Sequence, residues 1–209
     1  MTDRGGHICI VDDDQSVREA LTRLVETLGH PVFPFASAED FEEHRPAAPC
    51  ACLLLDVRLP GLSGIALFER LAQRHPLVPV VFMTGHGDVP LAVEAMKKGA
   101  VDFLIKPVDE EVLVAAVQQA LAVHTNQAAR ALREQAVHRR LERLTPRERD
   151  VLREVVTGAQ NKQIAARLGI ALKTVKIHRG RVMAKMEAES VVELSRLAAL
   201  AADIEETRP

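Results

Sequence analysis

The fold is decided at residues 7–13 by the stretch HICIVDD, in which an apolar, strand-like run ends at Asp12 and Asp13. A second apolar run at residues 52–55, CLLL, ends at Asp56. Continuous apolar runs of this length are typical of strands that are buried on both faces of a parallel sheet. Because such sheets bind ligands outside the carboxyl ends of their strands, the three acids are predicted to meet at one edge.

Three neighbouring carboxylates are typical of a site that binds a hard cation. They repel one another unless a positive ion neutralises them, and Mg²⁺ binds through carboxylate, water and phosphate oxygens. An aspartate beside such an ion can act as a nucleophile toward phosphorus. The sequence therefore predicts a phosphoryl site in which Asp12, Asp13 and Asp56 hold Mg²⁺.

Two further polar side chains follow strand-like runs. The run at residues 78–83 ends at Thr84, and the run at residues 101–105 ends at Lys106. A hydroxyl and an ammonium at the same sheet edge can both contact the oxygens of a phosphoryl group held on Asp56. We therefore expect Thr84 and Lys106 to complete the site.

These motifs together resemble the receiver domain of two-component response regulators. The segment from residues 83–90, MTGHGDVP, through Lys106-Pro107 resembles the FixJ-type branch in particular. The resemblance covers residues 1–122 and implies a flavodoxin-like, doubly wound, five-stranded parallel sheet. It also implies that a histidine kinase phosphorylates Asp56 and that Thr84 and Phe103 form a switch. For Phe103, ordinary core packing is the alternative interpretation.

Charge divides the chain into two parts with different expected partners. Residues 1–123 carry ten Lys and Arg against eighteen Asp and Glu, whereas the remainder carries seventeen against eleven. Residues 144–186 are the most basic part, with a net charge of +7. Such an excess of positive charge favours a polyanion as the partner of the second part.

Helix signals in this basic part predict four short helices. The first opens with a capping box made by Thr145 and Glu148, and Asn161 is predicted to cap the second. The third is predicted over residues 172–186 and the fourth from Ser190 onward. A helix, a short glycine turn and a second helix form the helix-turn-helix pattern. Residues 144–209 resemble the all-α, four-helix DNA-binding domain of the FixJ/NarL/LuxR class.

The resemblance implies that the third of these helices enters the major groove of double-stranded DNA. Val175, Val182 and Met186 suit a core, while Lys176 and Ile177 on another face can contact a guanine and a thymine methyl. A solvated charged face is the alternative. The predicted DNA-binding residues are Lys162, Lys173, Thr174, Lys176, Ile177, Arg179, Gly180 and Arg181. Ala171 offers this helix no side-chain cap.

The segment between the two domains contains strong helix formers and no glycine or proline from residue 108 to residue 144. It predicts a helical linker over residues 123–143, and a melted tether is the alternative. The resemblance further implies that phosphorylation promotes homodimerisation through the helix at residues 89–98, the strand that ends at Lys106 and the next helix. RNA polymerase is a further candidate partner.

Two other classes of protein share part of this pattern. A phosphatase of the haloacid dehalogenase type needs a second acid two positions after its aspartate, where this chain has Arg58. A phosphate-independent interaction module is disfavoured by the complete set of site residues. We expect no enzymatic activity beyond Mg²⁺-dependent self-phosphorylation and dephosphorylation. Arg58 and His86 flank the site and are candidates to tune the lifetime of the phosphoryl group. A solvated arginine and a loop histidine are the alternative interpretations.

Hydropathy and cysteine content predict a cytoplasmic protein. No apolar stretch approaches the roughly 20 residues that span a bilayer, and no N-terminal signal pattern is present. The three cysteines, Cys9, Cys50 and Cys52, lack the pattern of a disulfide framework or a four-ligand zinc site, so we expect buried, reduced thiols.

Overall fold

A computed structural model describes residues 6–74, 78–85 and 89–206. The chain divides into two compact units, Met1–Ala128 and Ala129–Pro209. The predicted domain boundaries at residues 122 and 144 stay predictions.

The first unit is built on a parallel sheet with helices on both faces. Its strands lie in the order β2-β1-β3-β4-β5, and every neighbouring pair is parallel. The strands are β1 His7–Val11, β2 Val32–Phe35, β3 Cys50–Asp56, β4 Val80–Thr84 and β5 Asp102–Ile105. The helices that belong to this unit or begin in it are α1 Gln15–Glu26, α2 Ala38–His44, α3 Gly64–Arg74, α4 Val89–Lys97 and α5 Glu110–Glu142. This architecture confirms the predicted receiver fold.

The central strands are buried on both faces, as their unbroken apolar runs predict. Cys9 and Val11 of β1 pack into one core, whereas Ile8 and Ile10 pack into a second core on the opposite face. Successive side chains of a strand point to opposite faces, so each strand contributes to both cores. The sheet therefore lies between two cores, and this burial holds the carboxyl ends of its strands in position.

A close backbone approach joins the end of β3 to the start of α3. A Cβ atom built on Gly64 would lie 1.9 Å from the carbonyl oxygen of Asp56, far inside van der Waals contact. The amide of Gly64 also donates to the carbonyl of Val57 at 3.2 Å. A residue with a side chain at position 64 would therefore displace either the helix or the strand end.

Helix α1 begins directly after the acidic loop, and Asp14, the last of the three consecutive acids in that loop, caps the helix. Oδ1 of Asp14 accepts from the amides of Ser16 and Val17. These contacts satisfy amides that the first turn of a helix leaves unpaired. Asp14 is thus a structural cap, which leaves Asp12 and Asp13 as the acidic pair of the site.

The second unit is all helical, as the predicted all-α, four-helix domain requires. Its helices, after the C-terminal part of α5, are α6 Pro146–Val156, α7 Asn161–Leu168, α8 Leu172–Met186 and α9 Val191–Glu206. Val175, Val182 and Met186 are fully buried in its core, as the spacing on α8 predicts. Helix α5 is continuous over 33 residues, so the segment between the predicted domains is helical as expected.

The helix ends of this unit follow the sequence signals with one exception. Thr145 and Glu148 form the predicted capping box, and Gly169 ends α7 with a left-handed φ of 64°. Ala171 precedes α8 without a side-chain cap, as expected. The prediction that Asn161 caps α7 is wrong, because Asn161 is its first residue and Gln160 takes the cap position.

Glu148 also forms a buried ion pair that the capping box did not predict. Its carboxylate accepts from the ammonium of Lys185 at 2.6 Å, and its side chain is only 2% exposed. The hydrogen bond from Lys185 lowers the pKa of Glu148 from its usual 4.5 to about 2, against the opposing effect of burial. Because the ionised form is favoured by folding, this pair stabilises the domain only while Glu148 is charged.

We predict that Glu148→Gln lowers the free energy of unfolding of the second unit by about 2 kcal/mol at neutral pH, through loss of a charged hydrogen bond. The depressed pKa places this contribution above pH 4.5 and removes it as pH falls toward about 2. The difference between wild type and variant should therefore shrink on acidification. Denaturant titration of the full chain, followed by circular dichroism, measures both effects.

Asp150→Asn is the matched control, because Asp150 lies on the same helix in surface ion pairs with Arg147 and Arg153. Such exposed pairs contribute about 0–1 kcal/mol. An equal loss of stability in both variants, or a Glu148→Gln effect that does not change with pH, would contradict the assignment.

Candidate metal centre and nucleic-acid interface

The three predicted acids meet at the carboxyl ends of β1 and β3. One carboxylate oxygen from each of Asp12, Asp13 and Asp56 lies within 4.8 Å of the others. Asp12 and Asp56 are buried, and Asp13 is exposed at the mouth of the cluster. The site is thus closed by the sheet on one side and open to solvent on the other.

The ammonium of Lys106 connects two of these acids. It lies 2.6 Å from Oδ2 of Asp12 and hydrogen-bonds to Oδ2 of Asp56. Burial raises the pKa of the Asp12 carboxyl, and the hydrogen bond from Lys106 offsets only part of this effect. Burial also opposes the charge of Lys106, but its hydrogen bonds to both acids outweigh burial and raise the pKa of the ammonium. A single positive charge therefore compensates two buried carboxyl groups.

Backbone and side-chain donors fix the remaining atoms of the acidic loops. Oδ1 of Asp56 accepts from the amide of Arg58 at 2.8 Å, and Oδ1 of Asp12 accepts from the amide of Asp14 at 3.0 Å. The guanidinium of Arg18 donates to the backbone carbonyl of Asp12 at 2.7 Å. Sequence reasoning assigned no role to Arg18, although its position one helical turn after the cap Asp14 places it beside this loop.

Thr84 and Phe103 lie on the next strands along the sheet edge. Thr84 is buried at the end of β4, one residue beyond Met83, which pairs with Asp56. Phe103 is half-buried, packs against the core and lies 6.4 Å from the ring of Phe82. These positions agree with the predicted switch and equally with core packing for Phe103, so the switch stays a prediction. His86 lies outside the described residues.

The donor set fits Mg²⁺. It consists of carboxylate oxygens, which this hard cation prefers, and the exposed Asp13 leaves room for the water and phosphate oxygens that Mg²⁺ retains. Lys106 binds one carboxylate oxygen of Asp12 and one of Asp56, and its positive charge offsets the negative charge of the cluster. The receiver family generally binds Mg²⁺ at such an acidic pocket, and the three acids here are suitable ligands.

The second candidate site is the exposed face of α8. Lys176 and Ile177 are exposed on it, the Ile177 side chain at 47%. Of the predicted DNA-binding residues, the exposed ones are Lys162, Lys173, Lys176, Ile177, Gly180 and Arg181, and the half-buried ones are Thr174 and Arg179. Among the described residues, the basic side chains at 162, 173, 176 and 181 form no salt bridge. Their charge is available to a polyanion.

One predicted phosphate contact has a partner inside the protein. The guanidinium of Arg179 donates to Oδ1 of Asn161 at 2.8 Å and so ties α8 to the start of α7. This bond joins the two helices of the helix-turn-helix pattern through their side chains. A structural role for Arg179 is therefore present whether or not it also contacts DNA.

Comparison with known families assigns both units. Residues 8–118 match the response regulator receiver domain, and residues 142–198 match the bacterial regulatory proteins of the luxR family. The chain belongs to the response regulators that join these two domains, and its function is phosphorylation-dependent regulation of transcription. A histidine kinase and DNA are the partners that these domains imply.

Individual relatives are similar over nearly the whole chain. The transcriptional regulatory protein FixJ of Bradyrhizobium diazoefficiens is 43% identical over 92% of this chain and 94% of its own length. The response regulator protein TodT of Pseudomonas putida is 42% identical over 94% of this chain and 87% of its own.

Solved structures give the same assignment. The response regulator StyR is 41% identical with a TM-score of 0.81, over 93% of this chain and 98% of its own. Full-length FixJ from B. japonicum is 41% identical with a TM-score of 0.58, over 97% of this chain and 99% of its own.

The helices in the described part of the chain include none with the length and apolar character of a membrane span.

We predict that Asp13→Asn weakens Mg²⁺ binding by about tenfold or more, since a charged ligand is lost, which corresponds to ~1.4 kcal/mol. Because the chain has no Trp or Tyr, titration calorimetry is the appropriate measurement. Asp14→Asn is the control, since asparagine caps helices as well as aspartate does. If both variants bind Mg²⁺ equally weakly, the loss reflects the general negative charge of the loop, and Asp13 is not a direct ligand.

Proposed function

We propose that Asp56 is the phospho-acceptor of this response regulator, with Thr84 and Lys106 as its phosphoryl contacts. The observation that carries this proposal is the joint position of Asp12, Asp56 and Lys106 at one sheet edge. Each of the three comes from a different strand or strand end. Their convergence supports the assignment of a nucleophile, metal ligands and a cation to one site.

In the proposed reaction a carboxylate oxygen of Asp56 attacks the phosphorus of a phosphohistidine on the kinase. A new oxygen–phosphorus bond forms, the nitrogen–phosphorus bond breaks, and the imidazole leaves. Lys106, already bonded to Asp56, contacts the transferred phosphoryl oxygens, and Thr84 donates from the adjacent strand. Mg²⁺ held by Asp12, Asp13 and Asp56 would neutralise charge on the phosphoryl oxygens. The same site supports self-phosphorylation by small donors and self-dephosphorylation.

We further propose that phosphorylation promotes homodimerisation through α4, β5 and α5. Exposed apolar side chains concentrate on these elements: Val93 at 49%, Met96 at 44%, Ile105 at 52% and Val112 at 50%. Exposed apolar side chains are found at protein interfaces when they group together. Ile105 directly precedes Lys106, so β5 connects this face to the proposed phosphoryl site.

Dimerisation would bring two α8 helices to paired half-sites on DNA. Dimeric helix-turn-helix proteins bind half-sites about one helical turn apart. Phosphorylation would therefore be coupled to DNA binding if the phosphoryl group favours the dimer. RNA polymerase is a further partner that this arrangement would serve.

Light scattering of the full chain tests the dimerisation proposal, with and without Mg²⁺ and beryllofluoride, a phosphoryl mimic. We expect the mass of wild type to double on activation, while Asp56→Asn stays monomeric. Val112→Glu should also prevent doubling, because it places a charge in the interface. Val192→Glu is its control, since Val192 is 72% exposed on α9, outside this surface.

An unchanged mass in activated wild type would remove dimerisation from the mechanism. DNA affinity then separates the remaining alternatives: a rise on activation would indicate phosphorylation without dimerisation, and no rise would favour a phosphate-independent interaction module.

For the DNA interface we predict that Lys176→Gln weakens specific binding about tenfold, within the 1–3 kcal/mol typical of a base contact. Arg196→Gln on α9, also exposed, should leave affinity nearly unchanged. Fluorescence anisotropy with labelled operator and unrelated duplexes measures both. Equal weakening on all duplexes would reassign Lys176 to phosphate contact, and unchanged affinity would remove it from the interface.

A further inference from the structure

A second group of metal-ligating side chains lies at the opposite end of the sheet from the acids. His7 and Cys9 come from β1, and Cys50 begins β3, where it pairs in register with His7. One ligand atom from each of these residues lies within 4.8 Å of the others. Cys9 and Cys50 share one core, whereas Cys52 packs into the core on the other face of the sheet.

This group is buried and incompletely bonded. His7 is 3% exposed, Cys9 0% and Cys50 7%. Nε2 of His7 has no hydrogen-bond partner among the described residues, and its ring packs edge-on against Phe33. A buried polar atom without a partner costs about 1–3 kcal/mol, so an uncompensated imidazole nitrogen is unusual. The Cys50 thiol donates to the carbonyl of Cys52 at 3.3 Å and also lies beside the His7 and Cys9 side chains.

We propose that His7, Cys9 and Cys50 form a binding site for a thiophilic d10 metal ion. Two sulfur atoms and an imidazole nitrogen are the donors that Cu⁺ and Zn²⁺ prefer, whereas Mg²⁺ and Ca²⁺ prefer oxygen. The orphan nitrogen of His7 gains a partner when the ion binds. The site is chemically distinct from the acidic cluster and has no part in phosphoryl transfer.

The number of ligands favours Cu⁺ within this class. Structural zinc sites almost always have four protein ligands, and this cluster supplies three among the described residues. Cu⁺ is stable with three ligands of this type. The hydrogen bond to Cys50 and burial raise the pKa of the Cys9 thiol, and the guanidinium of Arg45 acts in the opposite direction, the one that a thiolate ligand requires. Two thiolates and Cu⁺ would carry a net charge of −1.

Bound metal would connect β1 directly to β3 at the ends where these strands begin. An ion that binds the folded chain and not the unfolded chain raises stability by mass action. Occupancy should therefore raise the melting temperature of the receiver unit without Mg²⁺ or a phosphoryl donor.

The test is an anaerobic titration of the reduced full chain with Cu⁺ against a chromophoric competing chelator, and separately with Zn²⁺. We expect one equivalent of Cu⁺ to bind and the melting temperature to rise. His7→Phe and Cys50→Ala should each lower the affinity by about 100-fold or more, because a direct ligand is lost. Cys52→Ala is the matched control: the same residue type on the same strand, facing the other core, should retain binding.

The variants also separate this site from the phosphoryl site. Asp56→Asn should bind Cu⁺ as wild type does, while Cys52→Ala reports the effect of removing a buried thiol. If Cys50→Ala does not fold, His7→Phe still tests the site, since a phenyl ring preserves the packing against Phe33. Zinc uptake with the same dependence on His7 and Cys50 would support the site with Zn²⁺ as its occupant. No uptake by wild type, or uptake unchanged in both ligand variants, would overturn the proposal.

Discussion

The receiver unit depends on one ammonium that two buried carboxylates share. Lys106 reaches Asp12 and Asp56 because β5, β3 and β1 end at the same edge of a parallel sheet. Without a cation at this point, the acids of two adjacent strand ends would repel each other in a region shielded from water. The charge of Lys106 therefore stabilises the same arrangement that the proposed phosphoryl chemistry requires, so one set of contacts would serve both folding and function.

The second unit uses its charges differently. There, a buried pair between Glu148 and Lys185 and a hydrogen bond between Arg179 and Asn161 hold helices together from inside. The basic side chains of the exposed face of α8 remain outside this network. The basic segment therefore contains two groups of charged residues: one positions the helices, and the other stays exposed on α8. Counting charges along the sequence does not separate them.

Local sequence patterns predicted much of this architecture. They did not predict the contacts between residues that are far apart in the chain. The buried strands, the Asp14 and Thr145 caps and the core face of α8 depend on neighbours within a few positions, and all are as expected. The bond from Lys106 to Asp12 joins residues 94 positions apart, and only strand order brings them together. Strand order came from the family resemblance, since apolar runs alone do not specify it. Neither the pairing of Glu148 with Lys185 nor the cluster around His7 has a local signal.

The contact between Gly64 and the carbonyl of Asp56 constrains the proposed phosphoryl site. Because the start of α3 lies against that carbonyl, helix and strand can approach this closely only while residue 64 has no side chain. A larger residue there would move the strand end that carries Asp56 relative to Asp12 and Lys106. Glycine at this one position is therefore part of what keeps the two acids and the ammonium in contact.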